Sequence, residues 1–236
     1  MKKKKQIKFV PGDSALSMIS NSLKSQLTIK SWQMFRRVNV ILKRVIDIVG
    51  AIVALILFTP IYLVTAIAIV IEDGFPLFYN QIRVGKHGRL FTMYKFRSMF
   101  NNADEIKANL VSDDMTGGVI FKMKNDPRIT RTGRIIRKLS IDELPQLWNV
   151  LIGDLSLVGP RPPIPSEVAE YTEWDRKRLD VTPGLTCTWQ VSGRSDIDFT
   201  QQVNLDIDYI KKTSILEDFK LLLRTIPAVL TGKGAY

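Results

Sequence analysis

Two adjacent carboxylates, Asp142 and Glu143, lie in the part of the chain richest in regularly spaced cations. Arg128, Arg131, Arg134 and Arg137 recur at every third residue ahead of them, and Lys138 follows. Across Gly133 to Leu139 this spacing puts Arg134, Arg137 and Lys138 on one helical face and Ile135, Ile136 and Leu139 on another. Cations beside acids can hold a phosphate, or a metal-bound diphosphate, against a carboxylate nucleophile. A plainer reading is also available. Ser140 and Glu143 have the S-x-x-E spacing of a capping box ahead of an apolar run, with Asp142 merely complementing a helix dipole. Pro145 argues for a later helix start, near Leu144, with the acids just before it. A helix N-terminus is itself an anion site, so both readings can hold at once.

Other cations stand in rigid or aromatic settings. Gly159-Pro160-Arg161-Pro162-Pro163 is a stiff turn that either links two elements or presents Arg161 to a phosphate at low entropic cost. Tyr94 to Met99 interleaves Lys95 and Arg97 with aromatics. The chain has one histidine, His87, and one cysteine, Cys187. A zinc site therefore lacks its usual ligands, an internal disulfide is excluded, and a reducing cytosolic setting fits. The net charge of +11 calls for anionic partners: nucleic acid, acidic lipid or a phosphorylated substrate. No helix-turn-helix, zinc or ribonucleoprotein signature accompanies that charge, which weighs against a nucleic-acid-binding module.

The elements that must position these residues begin with a lysine run, Lys2 to Lys5, suited to anionic lipid heads. Ser14 to Val40 reads as an amphipathic helix, with Leu16, Ile19, Leu23 and Leu27 at helical spacing. Val45 to Ile71 is apolar enough to cross a bilayer, which takes about 20 residues. Pro60 interrupts it, and cations lie on both flanks. A helix that enters, bends at Thr59-Pro60 and returns keeps both flanks on one side and is favoured over a spanning helix or a soluble core helix. Asp47, within this run, is expected to pair locally with Lys43 and Arg44. Downstream, Leu77 to Tyr79 and Leu90 to Tyr94 read as strands around Gly85-Lys86-His87-Gly88. Asn101 to Leu110 reads as a short helix, Asp113 to Gly118 as a loop, and Ser214 to Leu230 as an amphipathic helix containing Pro227.

Taken in order, the segments form a pattern: Lys43-Arg44 with Asp47, the apolar run broken at Pro60, FTMYKFRSM (Phe91 to Met99), DPRIT (Asp126 to Thr130), RKLSIDELPQLWNVL (Arg137 to Leu151), LVGPRP (Leu157 to Pro162) and TPGLTCTWQVSGR (Thr182 to Arg194). This pattern resembles the bacterial sugar transferases, or monotopic phosphoglycosyl transferases, from about Ile41 to the C-terminus. The resemblance implies a helix-rich α/β (α+β) fold with a re-entrant helix-break-helix, interfacial amphipathic helices and a small antiparallel β element. It divides the chain into a basic tail and amphipathic helix over 1–40, a re-entrant membrane helix over 41–72 and a catalytic domain over 73–236. It implies a UDP-hexose and undecaprenyl phosphate as substrates, magnesium as cofactor, and a place at the cytoplasmic face of the bacterial inner membrane. Anionic lipids and a second copy of the chain, as a homodimer, are the further partners it admits; nucleic acid is not one. In this reading Asp142 is the nucleophile at the sugar-bearing phosphate, Glu143 helps hold the metal, Arg137 binds phosphate and Arg161 lies on the nucleotide side. Lys95, Arg97, Arg128 and Arg194 are further substrate-binding candidates. Exopolysaccharide- and O-antigen-initiating members are the nearest in pattern, and a scaffold without turnover is the alternative within the same membrane setting.

Overall fold

The computed structural model describes residues 13–103, 105–106, 126–193 and 197–232, with side chains described for 34 and from 38 onward. The loop expected at 113–118, the lysine run and Arg194 lie outside the described residues, as does part of the helix expected at 101–110. The chain divides into two compact units, Met1–Lys43 and Arg44–Tyr236. The second carries the apolar run together with the whole candidate site.

One helix, α1 (Asp13–Asp73), covers both the amphipathic and the apolar segments. The break expected at Pro60 is not a break in helical structure. Proline removes one donor and crowds the carbonyl four residues back, but the helix continues past it, and Thr59 Oγ1 donates to the Leu55 carbonyl at 2.8 Å. From Asp47 on, α1 has two unlike sides. Asp47, Ala51, Thr65 and Ile69 are buried, and with Leu55 and Tyr62 they recur at helical spacing along one side. Val45, Val49, Val53, Ile56, Val64 and Ile71 on the rest of the surface are each at least half exposed. An apolar exposed surface of this extent marks contact with lipid or with another apolar surface.

The buried side is fixed by polar contacts at both ends. Asp47 accepts from Ser156 Oγ and the Leu157 N–H, both at 3.0 Å, and Arg44 donates to the Val150 and Leu151 carbonyls. Of the two cations expected to pair locally with Asp47, Arg44 is engaged by backbone carbonyls instead, and Asp47 gains long-range partners because burial demands one for every polar group. Close approach matters as well: a Cβ on Gly50 would lie 2.7 Å from Leu157.

Strands β1 (Phe78–Val84) and β2 (Leu90–Phe96) form an antiparallel hairpin, with Phe78 opposite Phe96 and Val84 opposite Leu90. Both outrun the expected strands; the polar Asn80, Gln81 and Arg83 obscured β1 in the sequence. Helices α2 (Arg131–Lys138) and α3 (Gln146–Ile152) follow, then β3 (Ser156–Val158), α4 (Pro165–Ala169), α5 (Glu173–Arg176), β4 (Gly184–Thr186), α6 (Phe199–Lys212) and α7 (Ile215–Thr231). β3 and β4 pair in parallel, a second small sheet the sequence reading did not foresee. Pro227 lies inside α7, whose helix continues past it.

Two apolar clusters join α1 to the rest. Ala51 packs with Phe91, Met93, Leu147, Val150 and Leu155. Ile69 packs with Phe96 and Ile136, with Tyr62 and Leu77 beside them. Glu72, at the end of α1, accepts from the Arg131 and Thr132 N–H groups and so caps α2 from outside.

Candidate active site

Asp142 and Glu143 occupy a short 3-10 turn, Ile141–Glu143, between α2 and α3. Thr130 caps α2 by accepting from the Gly133 N–H at 2.8 Å, and the Gly133 backbone sits so close to Ser98 that a Cβ there would meet its carbonyl at 1.9 Å. The end of β2 and the start of α2 are therefore pinned together, and this sets where the turn emerges. The capping box does not form. Ser140 adopts left-handed backbone angles (φ 54°, ψ 22°) and its side chain caps nothing. A residue in that region cannot lie ahead of the helix in the extended conformation a cap requires. The later start suggested by Pro145 is the one observed: α3 begins at Gln146, with both acids before it.

On the far side, α3 is stitched to β2 by a fully buried asparagine. Asn149 donates to the Thr92 carbonyl at 2.7 Å and accepts from the Tyr94 N–H at 3.1 Å, as a neighbouring strand would. Lys95 follows directly, and its Nζ lies 2.7 Å from Glu143 Oε1. Arg161 reaches the same oxygen at 3.7 Å from the proline-rich turn. Arg83, buried at the end of β1, holds that turn: it donates to the Pro162 carbonyl at 2.9 Å and grips Gln81 Oε1 with Nε and Nη2. The Val84 N–H donates to the Pro163 carbonyl alongside. Burial, with Arg161 nearby, pushes Arg83 down to about 10.

The two carboxylates have opposite electrostatics. Burial, reinforced by the charge of Glu143, raises Asp142 against the pull of Lys95, Arg137 and Arg161. Burial also opposes ionisation of Glu143, yet Lys95, Arg161 and Arg83 outweigh it and hold that acid below the usual carboxylate range. Glu143 is thus the fixed anion. Asp142, only 8% exposed, is the more basic carboxylate, and nothing among the described residues hydrogen-bonds to it. Environments that separate two neighbouring acids in this way assign them different roles.

Among the described residues no three His, Cys, Asp or Glu side chains cluster to enclose a metal ion. Magnesium does not need such a cage: it typically takes one or two carboxylates and completes its shell with water and substrate phosphate. Glu143, whose cation contacts use Oε1, and Asp142 fit that pattern.

The expected binding residues separate into two groups. Lys95, Arg161 and Arg137 surround the acids through direct contact or charge. Arg97 and Arg128 are held elsewhere. Arg97 donates to the Asp73 and Gly74 carbonyls and to Asn101, and pairs with Asp73 at 3.1 Å, which ties off the end of α1. Arg128 forms a buried pair with Asp126 at 2.6 Å. A further buried pair unmarked in the sequence, Arg178 with Asp206 at 2.7 Å, is backed by Tyr171. Arg83 and Asn149 were also missed. A lone asparagine within an apolar helical run was the available signal for the second; Arg83 carried none.

A buried acid beside a half-buried one, ringed by cations and next to a long helix with an exposed apolar surface, suits a membrane-associated domain that binds phosphate groups. The chain belongs to the bacterial sugar transferase family, whose match covers residues 38–232. It is 46% identical over 208 residues to the galactosyl transferase CpsE of Streptococcus agalactiae, covering 87% of this chain and 46% of that protein. It is 45% identical over 199 residues to an undecaprenyl-phosphate galactose phosphotransferase of Salmonella typhimurium, covering 83% of this chain and 42% of that protein. The exopolysaccharide production protein ExoY of Rhizobium meliloti is 38% identical over 198 residues, which is 82% of this chain and 88% of ExoY. The chain thus spans less than half the length of the first two relatives and most of the third.

Proposed function

We propose that the chain transfers hexose-1-phosphate from a UDP-hexose to undecaprenyl phosphate, giving the lipid diphosphate sugar and UMP, as a membrane step of exopolysaccharide or O-antigen synthesis. The observation that carries this is the opposed acid pair. An Asp142 oxygen attacks the sugar-bearing phosphorus, the bond from that phosphorus to the bridging oxygen breaks, and UMP departs with the electron pair. An oxygen of the lipid phosphate then attacks the same phosphorus and Asp142 is released. A carboxylate that is more basic than its neighbour yet still ionised near neutral pH is suited to the first step. Arg137, Arg161 and Lys95 lessen the repulsion between it and the diphosphate. Magnesium, held by Glu143, would supply further charge neutralisation on the phosphate oxygens. The names of the galactose-transferring relatives support this reaction class.

The seat is the cytoplasmic leaflet of the inner membrane, with α1 entering and leaving on the same side. Contacts with the catalytic domain recur along α1 from Arg44 to Glu72, and the widest gap, Leu55 to Tyr62, is about 10 Å of helix. A spanning helix needs about 30 Å free of any water-soluble domain.

The test is UMP release from UDP-glucose, UDP-galactose and their N-acetylated forms, with magnesium and polyprenyl phosphate. Intact-mass spectrometry without the lipid acceptor should find a phosphosugar adduct on wild-type protein and none on Asp142→Asn. Turnover by Asp142→Asn at the wild-type rate would refute the nucleophile.

A further inference from the structure

At the end of β2 remote from the acids lies a cleft of about 260 Å³. Its lining includes Lys86, His87, Arg89, Phe91, Gly153 and Asp154. Arg89 and Lys95 stand six residues apart across β2, about 20 Å, so the cleft is separate from the acid pair. The hairpin turn builds it: Gly85 accepts from the Gly88 N–H, and His87 takes left-handed angles (φ 56°, ψ 27°), which present Lys86, His87 and Arg89 together.

At Gly153 the lining of the cleft is tied to α1. Arg44 donates to the Val150 and Leu151 carbonyls at the end of α3, and its Nη2 lies 3.3 Å from where a Cβ on Gly153 would stand. Two formal positive charges, on Lys86 and Arg89, line the cleft against one carboxylate, Asp154, which Arg89 approaches at 3.7 Å, and a third, on Arg44, lies beside Gly153. Immediately after Arg44 come Val45, Ile46 and Val49, all exposed, and Ile152 beside Gly153 is half exposed. The cleft thus lies beside the stretch of α1 where Arg44 gives way to exposed apolar residues.

The geometry points to a second anion site, for the phosphodiester headgroup of an anionic membrane phospholipid, with Lys86 and Arg89 on the phosphate and the acyl chains along Val45 and Ile152. Phosphate chemistry alone would fit a soluble phosphate too; the apolar rim selects the lipid. The site rests on the membrane seat of α1 and not on the phosphosugar chemistry.

The full chain in neutral detergent is heated with dihexanoyl phosphatidylglycerol, with dihexanoyl phosphatidylcholine, or with inorganic phosphate. Phosphatidylglycerol should raise the melting temperature and the other two should not. In Lys86→Ala/Arg89→Ala the apparent affinity should fall roughly 30-fold, from about fivefold per cation. Asp154→Asn should tighten binding by removing the opposing charge. UMP release in detergent should be unchanged in the double variant, which confirms its fold and separates this site from the reaction. An equal shift with inorganic phosphate, an equal shift with phosphatidylcholine, no shift in the wild type, or an undiminished shift in the double variant would each overturn the site.

Discussion

At the scale of single residues, the electrostatic contrast between Asp142 and Glu143 yields two expectations. Burial raises Asp142 above its unfolded value, so the folded chain carries a penalty for ionising it. The penalty is complete above the raised value, shrinks as pH falls through it and is gone below the unfolded value near 3.8. Asp142→Asn should therefore raise thermal stability at neutral pH, on the order of 1–3 kcal/mol, and the gain should vanish toward pH 3. Melting curves of metal-free protein across pH check this; a loss of stability at pH 7 would contradict it. Lys95→Met removes the 2.7 Å partner of Glu143 and leaves a half-buried acid less well compensated. Rates of UMP release should drop about 100-fold or more, with the fold kept by circular dichroism. The acids and the cations now found around them were readable because their types are scarce and their order is distinctive. Arg83 was not readable, since an arginine in a strand carries no mark that it will turn inward to hold the Arg161 turn.

Helices and strands were legible to differing degrees, for physical reasons that can be named. The 3.6-residue apolar rhythm gave the first part of α1 and α7, whereas the continuity of α1 through Pro60 was not foreseen. The capping box at Ser140 was a false signal, because Ser140 takes left-handed backbone angles and its side chain caps nothing. β3 and β4 are three residues each, too short for any alternation to register, and their pairing depends on contacts between distant segments. Asn149 shows how much an element's position can depend on one side chain. Its replacement by Ala would leave the Tyr94 N–H and the Thr92 carbonyl without partners, at about 1–3 kcal/mol for each. The expected outcome is a lowered midpoint of denaturation together with reduced turnover, since Lys95 follows Tyr94. Turnover kept at the wild-type rate in a destabilised variant would show that β2 holds its place without this stitch.

On the scale of the whole molecule, the sidedness of α1 is the decisive property. In a Cys187→Ala background, single cysteines at Val40 and at Phe75, both largely exposed, should label from the same side of sealed inverted vesicles. Labelling of the two from opposite sides would require α1 to cross. The sequence alone could not separate these topologies, because hydropathy counts residues and does not show which face is already covered by protein. The covered face also bears on what the anchor is. α1 contributes Ala51 and Ile69 to the interior and Glu72 to the start of α2. A polypeptide cut free of α1 would expose two apolar clusters and leave the Arg131 and Thr132 N–H groups without their acceptor, so the catalytic body should not keep its fold once α1 is removed. Nor could α1 be exchanged for a generic helix, as a tether could, for the segment with the exposed apolar surface is also a wall of the folded body.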